Sequence, residues 1–78
     1  MNELILKEYG EDRIVYFYLP EGKGKPGKIV VDIASGETSI AARAQNDESG
    51  SYGHKAVRRV NEYFVKKNLP MKAIQAWY

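Results

Sequence analysis

Arg13-Ile14-Val15-Tyr16-Phe17-Tyr18-Leu19-Pro20 is the most strand-like stretch of the chain. It is dense in β-branched and aromatic side chains, which suit a pleated, half-buried surface. Pro20 ends it, because proline has no N–H to give a ladder. The flanking segments read the same way. Upstream, Leu4 to Tyr9 is a shorter strand candidate, and Gly10-Glu11-Asp12 supplies turn residues between the two. Downstream, Glu21 to Gly27 is a loop of Gly, Lys and Pro. Lys28 to Ala34 is a second clear strand through Ile29, Val30, Val31 and Ile33. Ser35-Gly36-Glu37 signals a hairpin turn, and Thr38 to Ala44 is the returning strand. Asn46 to Gly50 is polar and breaks the alternation.

The period then changes from two to 3.6. Stepping about 100° per residue from Val60 places Gly53, Ala56, Val57, Val60, Tyr63, Phe64 and Lys67 on one face. His54, Lys55, Arg58, Arg59, Asn61, Glu62, Val65 and Lys66 fall on the other. This predicts an amphipathic helix of about four turns. Ser49 or Ser51 is expected to cap its start. Lys66 and Lys67 are expected in its last turn, where positive charge suits the dipole. Pro70 forbids continuation. Met71 to Tyr78 reads as a last strand at a sheet edge. Ile74, Ala76 and Tyr78 alternate there against Ala73, Gln75 and Trp77.

The expected fold is therefore α+β. An antiparallel sheet of four or five strands, in the order β-β-β-β-α-β, carries one helix on one face. With Phe17's face turned to the helix, the core is expected to hold Val15, Phe17, Leu19, Ile29, Val31, Ile33, Ile40, Val57, Val60 and Phe64.

Seventy-eight residues make a single domain, 1–78. Apolar residues at 44% and charged residues at 28% exclude a disordered tail and a collagen-like repeat. The longest apolar run, Ile14 to Leu19, is far short of the ~20 residues of a spanning helix, so no membrane is expected. There is no cysteine, which excludes a disulfide scaffold, thiolate metal sites and a cysteine nucleophile. Small secreted chains usually carry such staples, so a reducing cytoplasm is the expected location. Met1 to Lys7 has no basic region and does not read as a signal peptide. A chain this small buries only ~60–65% of the surface it exposes when unfolded. Either its packing is very good or a second subunit helps.

Tyr18-x-Pro20-Glu21-Gly22, the Gly-Lys-rich loop, the single helix and the terminal Ala76-Trp77-Tyr78 resemble short bacterial single-domain proteins of unknown function. The resemblance runs over Tyr16 to Tyr78. It implies a stand-alone bacterial domain and transfers no site.

No motif fixes a chemistry. Gly22-Lys23-Gly24-Lys25-Pro26-Gly27-Lys28 satisfies the G-x-x-x-x-G-K core of a P-loop. The chemistry also needs a Ser or Thr next, to hold magnesium, and a helix to receive the phosphates. Ile29 and a strand follow instead. The loop reads as a flexible, lysine-bearing hairpin loop. His54 is the lone histidine, and Asp47 and Glu48 are its only nearby carboxylates, so no metal site is expected. A Ser51/His54/Asp47 set lies within one loop and helix start, which rarely gives triad geometry. No catalytic residue and no cofactor are expected.

Two features remain. The helix bears Lys55, Arg58, Arg59, Lys66 and Lys67 against Glu62 alone. With Lys23, Lys25 and Lys28 of the loop, Lys55, Arg58, Arg59 and Lys66 are the candidate contacts to an anion or a nucleic acid. Glu62 lies four residues from Arg58 and from Lys66, so i,i+4 pairs on a solvated face are the plainer reading. The aromatics are the second feature. With Phe17 inward, Tyr16 and Tyr18 face out, joined by Trp77 and Tyr78. They are wet-tipped surface residues, anchors of a homodimer, or a stacking platform for single-stranded nucleic acid. The leading functional expectation is a non-enzymatic binding or protein-interaction module. Single-stranded nucleic-acid binding is the alternative.

Overall fold

A computed structural model of the chain describes residues 1–76. Its elements are β1 (Asn2–Tyr9), β2 (Arg13–Pro20), β3 (Gly27–Asp32), β4 (Glu37–Ala42), α1 (Ser51–Val65) and β5 (Lys72–Gln75). The five strands form one antiparallel sheet in the spatial order β4-β3-β2-β1-β5. The first four make a meander of successive hairpins. β5 returns after the helix and pairs outside β1, with Asn2 opposite Gln75 and Leu4 opposite Ala73. The α+β class, the element order and the edge position of the last strand are as the sequence predicts. Among the described residues no helix is long and apolar enough to cross a membrane.

Side chains alternate across a strand, so one parity of each strand meets the helix. That set is Leu4 of β1, Ile14, Tyr16 and Tyr18 of β2, and Ile29 and Val31 of β3. All are buried, together with Ala56 and Val60 of α1. Val57, Tyr63 and Phe64 pack against them from the flanks of the helix, and Leu69 and Ala73 from the C-terminal segment. The helix phase is the predicted one. Val60→Ala is expected to cost roughly 1–3 kcal/mol, as a core deletion smaller than Leu→Ala. Val65, 68% exposed, should cost under about 0.5 kcal/mol as alanine. Urea unfolding of both variants checks this, and a costlier Val65 change would refute the phase.

The sheet faces are reversed from the expectation. Val15, Phe17 and Leu19 lie on the face away from α1, and Ile14, Tyr16 and Tyr18 take the inner one. Both parities of β2 are apolar or aromatic, so period alone cannot choose between them. Partners for the hydroxyls decide it, since a tyrosine is buried where its O–H finds an acceptor. The Tyr16 hydroxyl donates to the Pro70 carbonyl, and its ring tilts against Tyr63 at 5.9 Å. The Tyr18 hydroxyl donates to Asp47 at 2.8 Å. Of the other expected core residues, Ile29, Val31 and Val60 are fully buried, and Ile33, Val57 and Phe64 pack around them half-buried. Ile40, on the edge strand β4, stays 42% exposed.

The helix ends also differ from expectation. Gly50, left-handed at φ 82°, holds the N-cap position in place of Ser49 or Ser51, and the Ser49 hydroxyl accepts the Ser51 N–H at 3.2 Å. Asp47 caps the first turn from outside, accepting the N–H groups of Tyr52 at 3.1 Å and Gly53 at 2.8 Å. At the other end Lys66 is the C-cap and Lys67 turns left-handed at φ 56°. The Asn68 and Lys67 N–H groups return to the carbonyls of Tyr63 and Phe64, the bonds of a Schellman motif. Lys66 and Lys67 therefore sit just beyond the last helical turn.

Candidate functional site

The helix covers one sheet face. The other carries an oblique apolar band across four strands. Val30 of β3 stands opposite Val15 of β2, and Phe17 of β2 opposite Ile5 of β1. Leu19 of β2 and Ile74 of β5 flank Glu3 of β1. Ile5, Phe17, Leu19 and Val30 are half-buried, Val15 is buried among them, and Ile74 is 52% exposed.

Charged side chains border this band. A bulge in β1 between Leu6 and Glu8 leaves Lys7 as the extra residue. Its ammonium sits 5.3 Å from the centre of the Phe17 ring, a cation–π contact. Arg13 donates to Glu8 at 3.0 Å, which holds the Glu8 carboxyl below its ordinary range. Lys72 approaches Glu3 at 3.8 Å. Lys28 pairs in register with Phe17, and Asp32 with Arg13 and Glu37. The face therefore sets Lys7, Arg13, Lys28 and Lys72 against Glu3, Glu8, Asp32 and Glu37, and its formal charge cancels.

The expected interface residues do not form this surface. Tyr16 and Tyr18 are fully buried beneath α1. Burial pushes the Tyr16 hydroxyl up to about 12 and raises that of Tyr18. Trp77 and Tyr78 lie outside the described residues. An exposed apolar face exists, but the opposite parity of β2 builds it. The expected platform of stacked sheet tyrosines is corrected accordingly. Small residues packed under Tyr18 were the signal that pointed the other way. A Cβ at Gly27 would lie 2.1 Å from the Tyr18 ring, and one at Gly53 would lie 2.8 Å from its hydroxyl.

The predicted cationic set divides among three places. Lys23 and Lys25 belong to the exposed β2–β3 loop. This loop is tied down rather than free. The Lys25 N–H donates to Gln45 Oε1, the Gln45 N–H to the Lys25 carbonyl, and Asn46 Nδ2 to the Lys23 carbonyl. A strand follows it, so its amides do not open a helix as a P-loop requires. Lys28 belongs to the outer sheet face. Lys55, Arg58 and Arg59 come together with Glu62, Gln75 and Ala76 around a groove of about 250 Å³ between α1 and β5. Lys66 pairs with Glu62 at 3.4 Å.

Neither a nucleophile set nor a metal cluster is assembled around His54. Both Asp47 oxygens are spent on Tyr18, Tyr52 and Gly53, and His54 is exposed. Among the described residues no three His, Cys, Asp or Glu side chains converge as metal ligands. No family model, no curated protein and no solved structure matches this chain.

Proposed function

We propose that this chain is a non-catalytic protein-interaction module that pairs with a second copy of itself through the outer sheet face. The apolar band of Ile5, Val15, Phe17, Leu19, Val30 and Ile74 carries the reading. Domains are built from packed layers, and α1 supplies a layer to only one side of the sheet. A second copy would supply the other, as two sheets pack face to face in a sandwich. The balance of charge on the face supports a self-facing arrangement, because a patch with one dominant sign would repel its own copy. The same balance argues against a phosphate backbone as the occupant, since such a partner needs net positive charge. Phe17 lies mid-band, where aromatic anchors concentrate binding energy. The non-catalytic half of the reading draws on Asp47, whose oxygens are committed to holding the fold.

Sedimentation velocity over a hundredfold range of concentration tests the proposal. Wild type is expected to shift from monomer to dimer as concentration rises. Phe17→Asp should weaken the dimer by roughly 1–3 kcal/mol or more, with the far-ultraviolet circular dichroism unchanged. A wild type still monomeric near millimolar, where association is worth only ~4 kcal/mol, would overturn it.

A further inference from the structure

The groove between α1 and β5 is a second, separate surface on the helix side of the sheet. Lys55, Arg58, Arg59 and Glu62 follow the spacing i, i+3, i+4, i+7, so they form one stripe along α1. Gln75 forms part of the opposite wall. It is buried, and both ends of its amide are fixed. Asn2 Nδ2 donates to Gln75 Oε1 at 3.0 Å, and Gln75 Nε2 donates to the Lys55 carbonyl at 2.8 Å.

We propose that this groove binds a single phosphate group, clasped by the guanidinium groups of Arg58 and Arg59. Arg59 is half-buried against the groove wall, and Arg58 beside it is exposed. Among the described residues neither the Arg58 nor the Arg59 side chain has a hydrogen-bond or ion-pair partner. Among the described residues that line the groove Glu62 is the one carboxylate, and it is engaged by Lys66. Two neighbouring guanidinium groups that the fold leaves without a counter-charge favour an anion that supplies one. Guanidinium forks match phosphate oxygens two at a time, which a lone ammonium cannot do. The size and borders of the groove select one phosphate over a nucleic-acid strand. A volume of about 250 Å³ holds a small phosphorylated group rather than a length of strand. Lys23, Lys25 and Lys28 do not line it, so no basic track leads a strand onward.

The test is an amide and guanidinium NMR titration of the full chain with inorganic phosphate. Sodium chloride at matched ionic strength is the control. A saturable shift of the Arg58 and Arg59 side-chain N–H signals and of the 55–62 backbone amides is expected with phosphate alone. The R58Q/R59Q variant should bind phosphate at least tenfold more weakly while its remaining spectrum stays native. R58K/R59K should recover only part of the loss, because charge returns without the forks. Equal shifts with chloride, no saturation, or wild-type affinity in R58Q/R59Q would overturn the proposal. A single-stranded oligonucleotide forms the second arm. Shifts confined to the groove and no larger than those of phosphate support one bound group. Shifts spreading to Lys23, Lys25 and Lys66, with affinity rising with strand length, would overturn it in favour of a strand-binding surface. These readouts lie on α1, so their failure leaves the outer-face reading standing on its own sedimentation result.

Discussion

Gly27→Ala is expected to destabilise the domain by about 3 kcal/mol or more, at the upper end of overpacking changes. Gly27 opens β3 directly beside Tyr18, its register partner on β2. A Cβ built there would lie 2.1 Å from Tyr18 Cε1, 2.5 Å from Cζ and 2.7 Å from the backbone nitrogen of Ala44. No real contact is that short, so something must move. The Ala44 nitrogen is backbone, and it donates to the Tyr18 hydroxyl at 3.0 Å. The ring cannot swing aside without losing that bond and the one to Asp47. A methyl group therefore displaces a fully buried tyrosine and strands two polar partners. Total stabilities of only ~5–15 kcal/mol make such a loss severe for a domain of this size. Urea unfolding measures it, and the double variant Gly27→Ala/Tyr18→Leu tests the cause. If the ring is the obstacle, the two changes together should cost less than their sum. A Gly27→Ala variant within about 1 kcal/mol of wild type would refute the account.

The same tyrosine explains which parts of the fold could be read from the chain and which could not. Strand existence was legible because Ile29, Val31 and their neighbours alternate between turn signals. Helix phase was legible because Gly53, Ala56 and Val60 recur at the helical period against a charged opposite face. The orientation of β2 was not legible. Val15-Tyr16-Phe17-Tyr18-Leu19 offers two faces of similar apolar content, so a one-residue change of phase costs the sequence pattern nothing. Hydrogen-bond partners far along the chain break the tie, Asp47 for Tyr18 and Pro70 for Tyr16. Local periodicity carries no information about them. The candidate sites inherited this ambiguity. Tyr16 and Tyr18, which the pattern reads as surface, are core, whereas Phe17 and Leu19, which it reads as core, belong to the open face. Charge was easier. Lys55, Arg58 and Arg59 were grouped by helical spacing, and spacing does place them at one groove. Only charge links Lys23, Lys25 and Lys28 to them in the sequence, and the fold keeps those residues elsewhere.

Asp47→Ala is the second change expected to cost about 3 kcal/mol, through lost polar contacts rather than a clash. Asp47 lies in the connection between β4 and α1 and is 1% exposed. Its Oδ2 accepts the Tyr18 hydroxyl at 2.8 Å and the Gly53 N–H at 2.8 Å, and its Oδ1 accepts the Tyr52 N–H at 3.1 Å. Gly50, the N-cap, has no side chain to do this work, so the first turn of α1 depends on a carboxylate three residues earlier. Alanine removes a cap, worth typically ~1 kcal/mol. It also leaves a buried hydroxyl and a buried N–H without an acceptor, at ~1–3 kcal/mol for each group left unsatisfied. These terms share one side chain and do not add fully. The negative charge beside the helix N-terminus is lost as well, a further ~0.3–1 kcal/mol. Asp47→Asn keeps one acceptor oxygen and should recover part of the loss, so its stability is expected between those of wild type and Asp47→Ala. Amide hydrogen exchange should locate the damage, with protection falling first at Tyr52 and Gly53. In a Tyr18→Phe background the further change Asp47→Ala should cost less, because one of its three donors is already gone. Equal costs in the two backgrounds would mean that the tyrosine bond contributes nothing. The carboxylate would then act on the helix alone, and the link from sheet to helix start would be packing around Gly53.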